Sequence, residues 1–216
     1  RYTCPAQLHG VTWWSNTTFD NGATWLSGGG GQITHTNNAV DCVAGGRAEN
    51  YMRGTFAFTR DVNSRYYAAV TAAQNLINVY TSTNYGMSWT FSTSFSTGPS
   101  MWQPNLASAN ANNVVLSWYT TSSPNDTQAR RAVSGTTTGG GSWDTWQSMT
   151  PLFDPGPASG SGMGAGRTLG DYQGLTTNPV VGATWQYGYY ASWTDRQRYG
   201  VAPSGADVAA EGVREP

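Results

Sequence analysis

Apolar and polar positions along this chain fall into short runs of about four to eight residues, without the i, i+3, i+4 stripe of an amphipathic helix. Three β-rich runs align with one another: Tyr66–Thr71 (YYAAVT), Val114–Tyr119 (VVLSWY) and Tyr189–Thr194 (YYASWT). Each follows a shorter strand-like piece, Gly54–Thr59, Pro104–Ser108 and Tyr172–Thr176. The first two are followed by a third strand, Ile77–Tyr80 or Ala129–Val133. A turn then leads into a fourth strand that starts from a tryptophan. The pattern predicts a four-stranded antiparallel unit of about 55–60 residues, the size of a propeller blade.

The turn before the fourth strand has its own signature. Thr18-Phe-Asp20-Asn-Gly22-Ala-Thr24-Trp25 follows the frame Ser/Thr-x-Asp-x-Gly-x-Thr-Trp. Ser82-Thr-Asn84-Tyr-Gly86-Met-Ser88-Trp89 repeats it 64 residues on, and Thr136-Thr-Thr138-Gly-Gly140-Gly-Ser142-Trp143 a further 54 residues on. Asp or Asn accepts hydrogen bonds from backbone amides just ahead and closes the turn. Gly supplies a positive φ, and the flanking hydroxyls tie down further backbone groups. The Trp is expected to pack inward, pinning a polar turn to an apolar core. The motif thus reads as a clasp between the last two strands of a blade.

In this register the chain opens inside a blade, with Val11–Trp14 as a third strand and a strand from Trp25 as the fourth. Two whole blades follow. The first two strands of another blade come last, giving three blade equivalents over residues 1–203 and a polar, frayed tail over 204–216. Propellers typically need about four to eight blades. The expectation is therefore a piece of a six- or seven-bladed ring, or two copies closing one six-bladed ring. The start at Arg1 fits a processed or excised product. The stretch 154–166 (DPGPASGSGMGAG) reads as a connector or a rim loop.

Composition narrows the function classes. Of 216 residues only 11% are charged and the formal net charge is −1, which gives no electrostatic reason to expect nucleic acid or an anionic membrane. Ten Trp and twelve Tyr supply ample surface for a core. No apolar run approaches the ~20 residues of a membrane span. Cys4 and Cys42 are 38 positions apart; a disulfide between them could add about 3–4 kcal/mol, and two buried thiols are the alternative. With the sequons Asn16-Thr17-Thr18 and Asn125-Asp126-Thr127, this favours an extracellular protein. His9 and His35 have no partner at ligand spacing, so neither a metal nor a cofactor is expected. Gly28–Gly31 lacks the lysine and helix that phosphate binding needs.

The three clasps resemble the Asp-box, or BNR repeat, of sialidases and related propellers. The stretches LGDYQGLTTNP (169–179) and YYASWTDRQRYG (189–200) are similar to segments of bacterial sialidase-like proteins. This resemblance implies a β-propeller. It says less about activity, since such clasps occur in lectin-like, hydrolytic and structural propellers alike. Sialidases hold a substrate carboxylate with three arginines and use a Tyr–Glu pair as nucleophile with an Asp as acid/base. The Arg-Ile-Pro motif of that family is missing here.

Of the three glutamates, Glu211 and Glu215 lie in the expected tail, which leaves Glu49. Arg47, Glu49, Tyr51 and Arg53 alternate, so on a strand all four would share one side. Glu49 and Tyr51 are the catalytic candidates, with Arg47 and Arg53 as substrate ligands; a solvated loop with weak ion pairs is the alternative. Asp171, before an inner strand, is a further catalytic candidate, with Tyr172 beside it; a turn-closing Asp is the alternative. Asp195-Arg196 is read as a structural ion pair, and Arg130-Arg131 lie in a third strand. Trp102 and Trp185, just outside the expected strands, are the candidate sugar-stacking residues, against a core role. The reading is an all-β, extracellular, sialidase-like propeller that recognises a glycan or glycoconjugate. The alternatives are a sialidase-type hydrolase completed by further blades or a partner chain, and a structural surface module.

Overall fold

A computed structural model describes residues 11–25, 31–35, 42–43, 47–48, 56–73, 75–99, 101–108, 110–122, 129–152, 174–178, 188–195 and 207–214. Among these every regular element is a strand. In chain order they are β1 (Val11–Trp14), β2 (Gln32–His35), β3 (Cys42–Val43), β4 (Arg47–Ala48), β5 (Phe56–Arg60), β6 (Tyr66–Ala73), β7 (Leu76–Ser82) and β8 (Thr90–Phe95). Then come β9 (Met101–Ser108), β10 (Val114–Thr121), β11 (Ala129–Thr136), β12 (Gln147–Ser148), β13 (Gly174–Asn178), β14 (Gly188–Asp195) and β15 (Asp207–Arg214). Two complete four-stranded meanders, β5-β6-β7-β8 and β9-β10-β11-β12, lie between a two-stranded sheet, β1-β2, and a three-stranded one, β13-β14-β15. The chain is all-β, built from the antiparallel blades of a propeller.

The second strand of each whole blade explains the run lengths seen in the sequence. β6 and β10 are buried on nearly every residue, because each is covered on both faces. Tyr67 and Ala69 of β6 join Ile77, Val79, Phe95, Leu116 and Trp118 in one core between the two whole blades. Ala68 and Val70, on the opposite face, pack with Ile33, Trp13 and Trp89 against the first sheet. A strand sandwiched in this way has no wet face, so its sequence is apolar almost throughout rather than alternating.

Three expectations are corrected. The stretch 204–216 was expected to fray, yet Asp207–Arg214 is a strand paired with β14 along its whole length, from Gly188↔Arg214 to Asp195↔Asp207. Its V-A-A-E-G-V composition leaves its small apolar residues free to pair in an antiparallel ladder. Trp25 itself is not in a strand, and among the described residues the fourth strand of the first sheet is β2, paired Trp14↔Gln32 to Val11↔His35. Trp25 is 57% exposed, whereas Trp89 and Trp143 pack against the cores.

The third correction is Trp102, expected at a rim outside the strands. It lies in β9, is 2% exposed, and stacks on Tyr119 at 5.5 Å between ring centroids. A bulge is the cause. Asn105 pairs with Ser117 and Trp102 with Tyr119, so β9 spends one residue more than β10 over that interval. Gln103 carries the positive φ of 47°, and Pro104 has no amide to lose from the ladder. The strand therefore continues through Pro104 to Met101 instead of starting there.

Candidate functional site

The clasps set one end of the molecule, and their geometry repeats closely. In the first, the Gly22 amide donates to Thr18 Oγ1 at 2.8 Å, and the Thr24 amide donates to Asp20 Oδ1 at 2.8 Å. In the second, Gly86 N reaches Ser82 Oγ and Ser88 N reaches Asn84 Oδ1, both at 2.9 Å. In the third, Gly140 N reaches Thr136 Oγ1 at 3.2 Å and Ser142 N reaches Thr138 Oγ1 at 2.8 Å. Asp, Asn and Thr thus fill one position because each offers a side-chain oxygen there. The Thr24 hydroxyl and amide, with the Thr18 hydroxyl, pull the Asp20 carboxyl from its ordinary 3.8 down to about 2. The glycines at the frame's fifth position have φ of 90°, 77° and 86°, as the motif requires.

Each of the two later clasps is bolted to the preceding sheet by a serine that the sequence reading missed. The Trp89 indole donates to Ser15 Oγ at 3.0 Å, and the Ser15 hydroxyl is within reach of the Gly86 carbonyl. The Trp143 indole donates to Ser92 Oγ at 3.1 Å, and the Ser92 hydroxyl donates to the Gly140 carbonyl. Neither serine belongs to the eight-residue frame, so a local motif could not disclose them.

A buried carboxylate strengthens the same end. Asp61, in the turn from β5 to β6, accepts from the amides of Asn63 and Arg65 at 2.9 Å and of Asn112 at 3.2 Å. It also accepts the Tyr67 hydroxyl at 3.1 Å. Burial, then the charge of Asp61, pushes the Tyr67 phenol well above its ordinary range, which keeps it a donor. Arg65 Nη1 donates to the Gly139 carbonyl at 2.6 Å. A Cβ on Gly139 would fall 2.1 Å from that nitrogen, which is why the third clasp carries an extra glycine. These groups lock one blade to the next and are fully engaged, so they read as structure.

Chemistry must then be sought at the other end. β2 starts beside the second clasp, where Gly31 N donates to Gly86 O at 2.9 Å, and so finishes at the end away from the clasps. β5 and β9 begin there. In sequence, the stretch 36–55, with the alternating Arg47, Glu49, Tyr51 and Arg53, comes between the end of β2 and the start of β5. Within it, Arg47 lies on β4, paired with Val43 of β3. Glu49, Tyr51, Arg53, Asp171, Tyr172, Trp185 and Cys4 lie outside the described residues, as does the side chain of Cys42.

At that same end, on the face of β9–β12 that carries Ser117, Tyr119 and Val133, sits a buried aromatic-cation layer. The Arg131 guanidinium lies 4.8 Å over the Tyr119 ring, and its Nη2 donates to Ser117 Oγ at 2.8 Å. Burial pushes it below its ordinary range, and Tyr119 opposes the shift. Trp102 stacks on the same Tyr119 ring and is buried, so its indole is held in the interior rather than offered to a sugar. Of the arginine pair in β11, Arg131 is the inward member and Arg130 is only half-buried. No group of three or more metal-binding side chains occurs among the described residues, and no helix among them is long and apolar enough to cross a membrane.

No protein-family model matches the sequence, and no curated protein matches it. Solved structures do. The GH93 α-L-arabinofuranosidase of Fusarium graminearum, in complex with arabinobiose, aligns with a TM-score of 0.52 at 13% identity, over 93% of this chain and 54% of its own. The α-L-arabinanase of Penicillium chrysogenum, also with arabinobiose, aligns at 0.51 and 14% identity, over 100% of this chain and 65% of its own. NanB sialidase of Streptococcus pneumoniae aligns at 0.46 and 11% identity, over 93% of this chain and 28% of its own. The chain therefore spans about half to two thirds of the length of the first two, and at these identities what it shares with them is the fold.

Proposed function

We propose that this chain forms part of an extracellular, sialidase-like propeller that recognises glycans at the end of the blades away from the clasps. The observation that supports this reading is the division of labour between the ends. Turns at the clasp end are short and closed by their own side chains. At the opposite end β2 finishes and β5 and β9 begin, and the sequence between β2 and β5 carries Arg47, Glu49, Tyr51 and Arg53. Functional residues gather on such connections because a rigid scaffold positions them. Two solved propellers of this fold hold arabinobiose, which makes a furanose-containing oligosaccharide a reasonable first ligand.

In this reading Arg47 and Arg53 bind acidic or hydroxyl groups of the sugar. Asp171 and Tyr172, which precede the first strand of the last sheet, and Trp185 complete the surface. The second reading is a glycoside hydrolase, favoured by the enzymes that share the fold; there Glu49 would activate Tyr51 as nucleophile and Asp171 would serve as acid/base. The two readings part in one experiment. Arabinobiose and a sialyl-oligosaccharide are titrated into the protein by calorimetry, and chromogenic arabinofuranosides and sialosides are assayed for hydrolysis alongside. The recognition reading expects heat of binding without release of chromophore. Release that is abolished in Glu49→Gln establishes the hydrolase instead, and neither heat nor release contradicts both.

A further inference from the structure

Asn21-Gly22 is the only Asn-Gly pair in the 216 residues, and it lies inside the first clasp. The side-chain carbonyl of an asparagine is within reach of the next residue's main-chain nitrogen, and a following glycine puts no side chain in the way of the attack. The fourth position of the frame is left-handed in all three clasps, with φ of 56° at Asn21, 61° at Tyr85 and 68° at Gly139. Asn and Gly enter that region at little cost, which is the conformational reason for an asparagine here. Asn21 is exposed, and its counterpart Tyr85 stays 44% exposed although a sheet precedes its clasp. What holds the pair unreacted is the clasp itself. The Gly22 amide donates to Thr18 Oγ1 at 2.8 Å, and the Thr24 amide donates to Asp20 Oδ1 at 2.8 Å across the same turn.

We infer that Asn21 is a self-modification site, converted through a cyclic imide to aspartyl and isoaspartyl residues when the first clasp opens locally. The Gly22 nitrogen bonds to Asn21 Cγ, and its proton leaves with the side-chain nitrogen as ammonia. Water then opens the ring, at Cγ to give aspartate or at the main-chain carbonyl to give isoaspartate. One water enters and one ammonia departs. The imide nitrogen carries no hydrogen, so it cannot donate to Thr18, and the closed clasp and the ring exclude one another. The isoaspartyl product routes the main chain through Cβ and Cγ, which adds a carbon between Asp20 and Thr24. The span over which Asp20 reaches the Thr24 amide no longer fits, and the clasp does not close again as before. The other two clasps are exempt, since Tyr85 and Gly139 hold the position.

The test follows isoaspartate in the full, folded chain held at physiological temperature and mildly alkaline pH. The readout is methyl transfer from labelled S-adenosylmethionine by an isoaspartyl methyltransferase, localised by peptide mapping. The expected result is label that grows with time on the peptide holding Asn21, with a melting temperature that falls as it accumulates. Asn21→Gly, which copies the third clasp, must fold and leave that peptide unlabelled. Thr18→Val removes the acceptor of the Gly22 amide, and its label must grow several times faster than in the wild type. Should that variant fail to fold, the wild type in urea, where the same bond is lost, must take up label several times faster than the folded wild type. A wild type that stays unlabelled overturns the inference. So does label on the same peptide in Asn21→Gly, a rate that neither Thr18→Val nor urea raises, or label that accumulates without lowering the melting temperature. Glycan binding enters none of these readouts, so they stand or fall apart from the proposed function.

Discussion

Asp20 and Asn84 occupy the same position in two clasps and make the same bond to the amide four residues on. The charge is therefore not what closes the turn. Asp20→Asn should keep the first clasp, while Asp20→Ala should lower the melting temperature by removing the acceptor. Because the folded carboxyl sits at about 2 against an ordinary 3.8, its contribution is present above the ordinary value and lost as pH falls through about 2. Thermal unfolding between pH 5 and 2 should show a shallower decline in Asp20→Asn than in the wild type; equal slopes would mean that Asp20 plays no part in acid sensitivity. Asp61 is the opposite case, buried and satisfied by three amides and a phenol. Asp61→Ala strands those donors and should cost about 2–4 kcal/mol in urea unfolding. The clasp residues were legible in the sequence because their bonds are local, four residues apart or fewer. Asp61, Ser15 and Ser92 were not, because a lone Asp or Ser in a turn or strand acquires its role only when a neighbouring sheet brings up Asn112, Trp89 or Trp143.

Strands were the most legible level. Eight-residue β6 and β10 were expected as Tyr66–Thr71 and Val114–Tyr119, and they lengthen only at their C-terminal ends. The misreadings arose where pairing departs from a plain ladder. The bulge at Gln103 carries Trp102 across to the Tyr119 face, and no alternation in M-W-Q-P-N-L announces it. Trp102→Ala should consequently behave as a core truncation, losing about 3–5 kcal/mol of stability, rather than as the loss of a sugar platform; unchanged stability would restore the exposed reading. Ser92→Ala removes the bridge between the Gly140 carbonyl and the Trp143 indole. It should cost about 1–2 kcal/mol in equilibrium unfolding, and a second cut, Trp143→Phe, should add little because both changes break the same link. Full additivity would show that the serine and the indole act separately.

Over the whole molecule, the fold follows from burying both faces of each middle strand: sheets must stack face to face, and the second and third clasps align with the first at one end because each of them is fastened to the sheet before it. The fold class was readable from three copies of one eight-residue frame. The candidate site was readable only as residue types, since Arg47, Glu49, Tyr51 and Arg53 have the spacing of one strand side but their arrangement depends on chain segments far apart in sequence. Glycan recognition at the end away from the clasps, as proposed, is open to a single decisive experiment, a glycan array probed with the full chain. The expected result is retention of a defined set of oligosaccharides, lost in Arg47→Ala and Arg53→Ala but unaffected by Asp20→Asn in the first clasp. Folded protein that retains none of the glycans, or retention that survives both arginine changes, would contradict it.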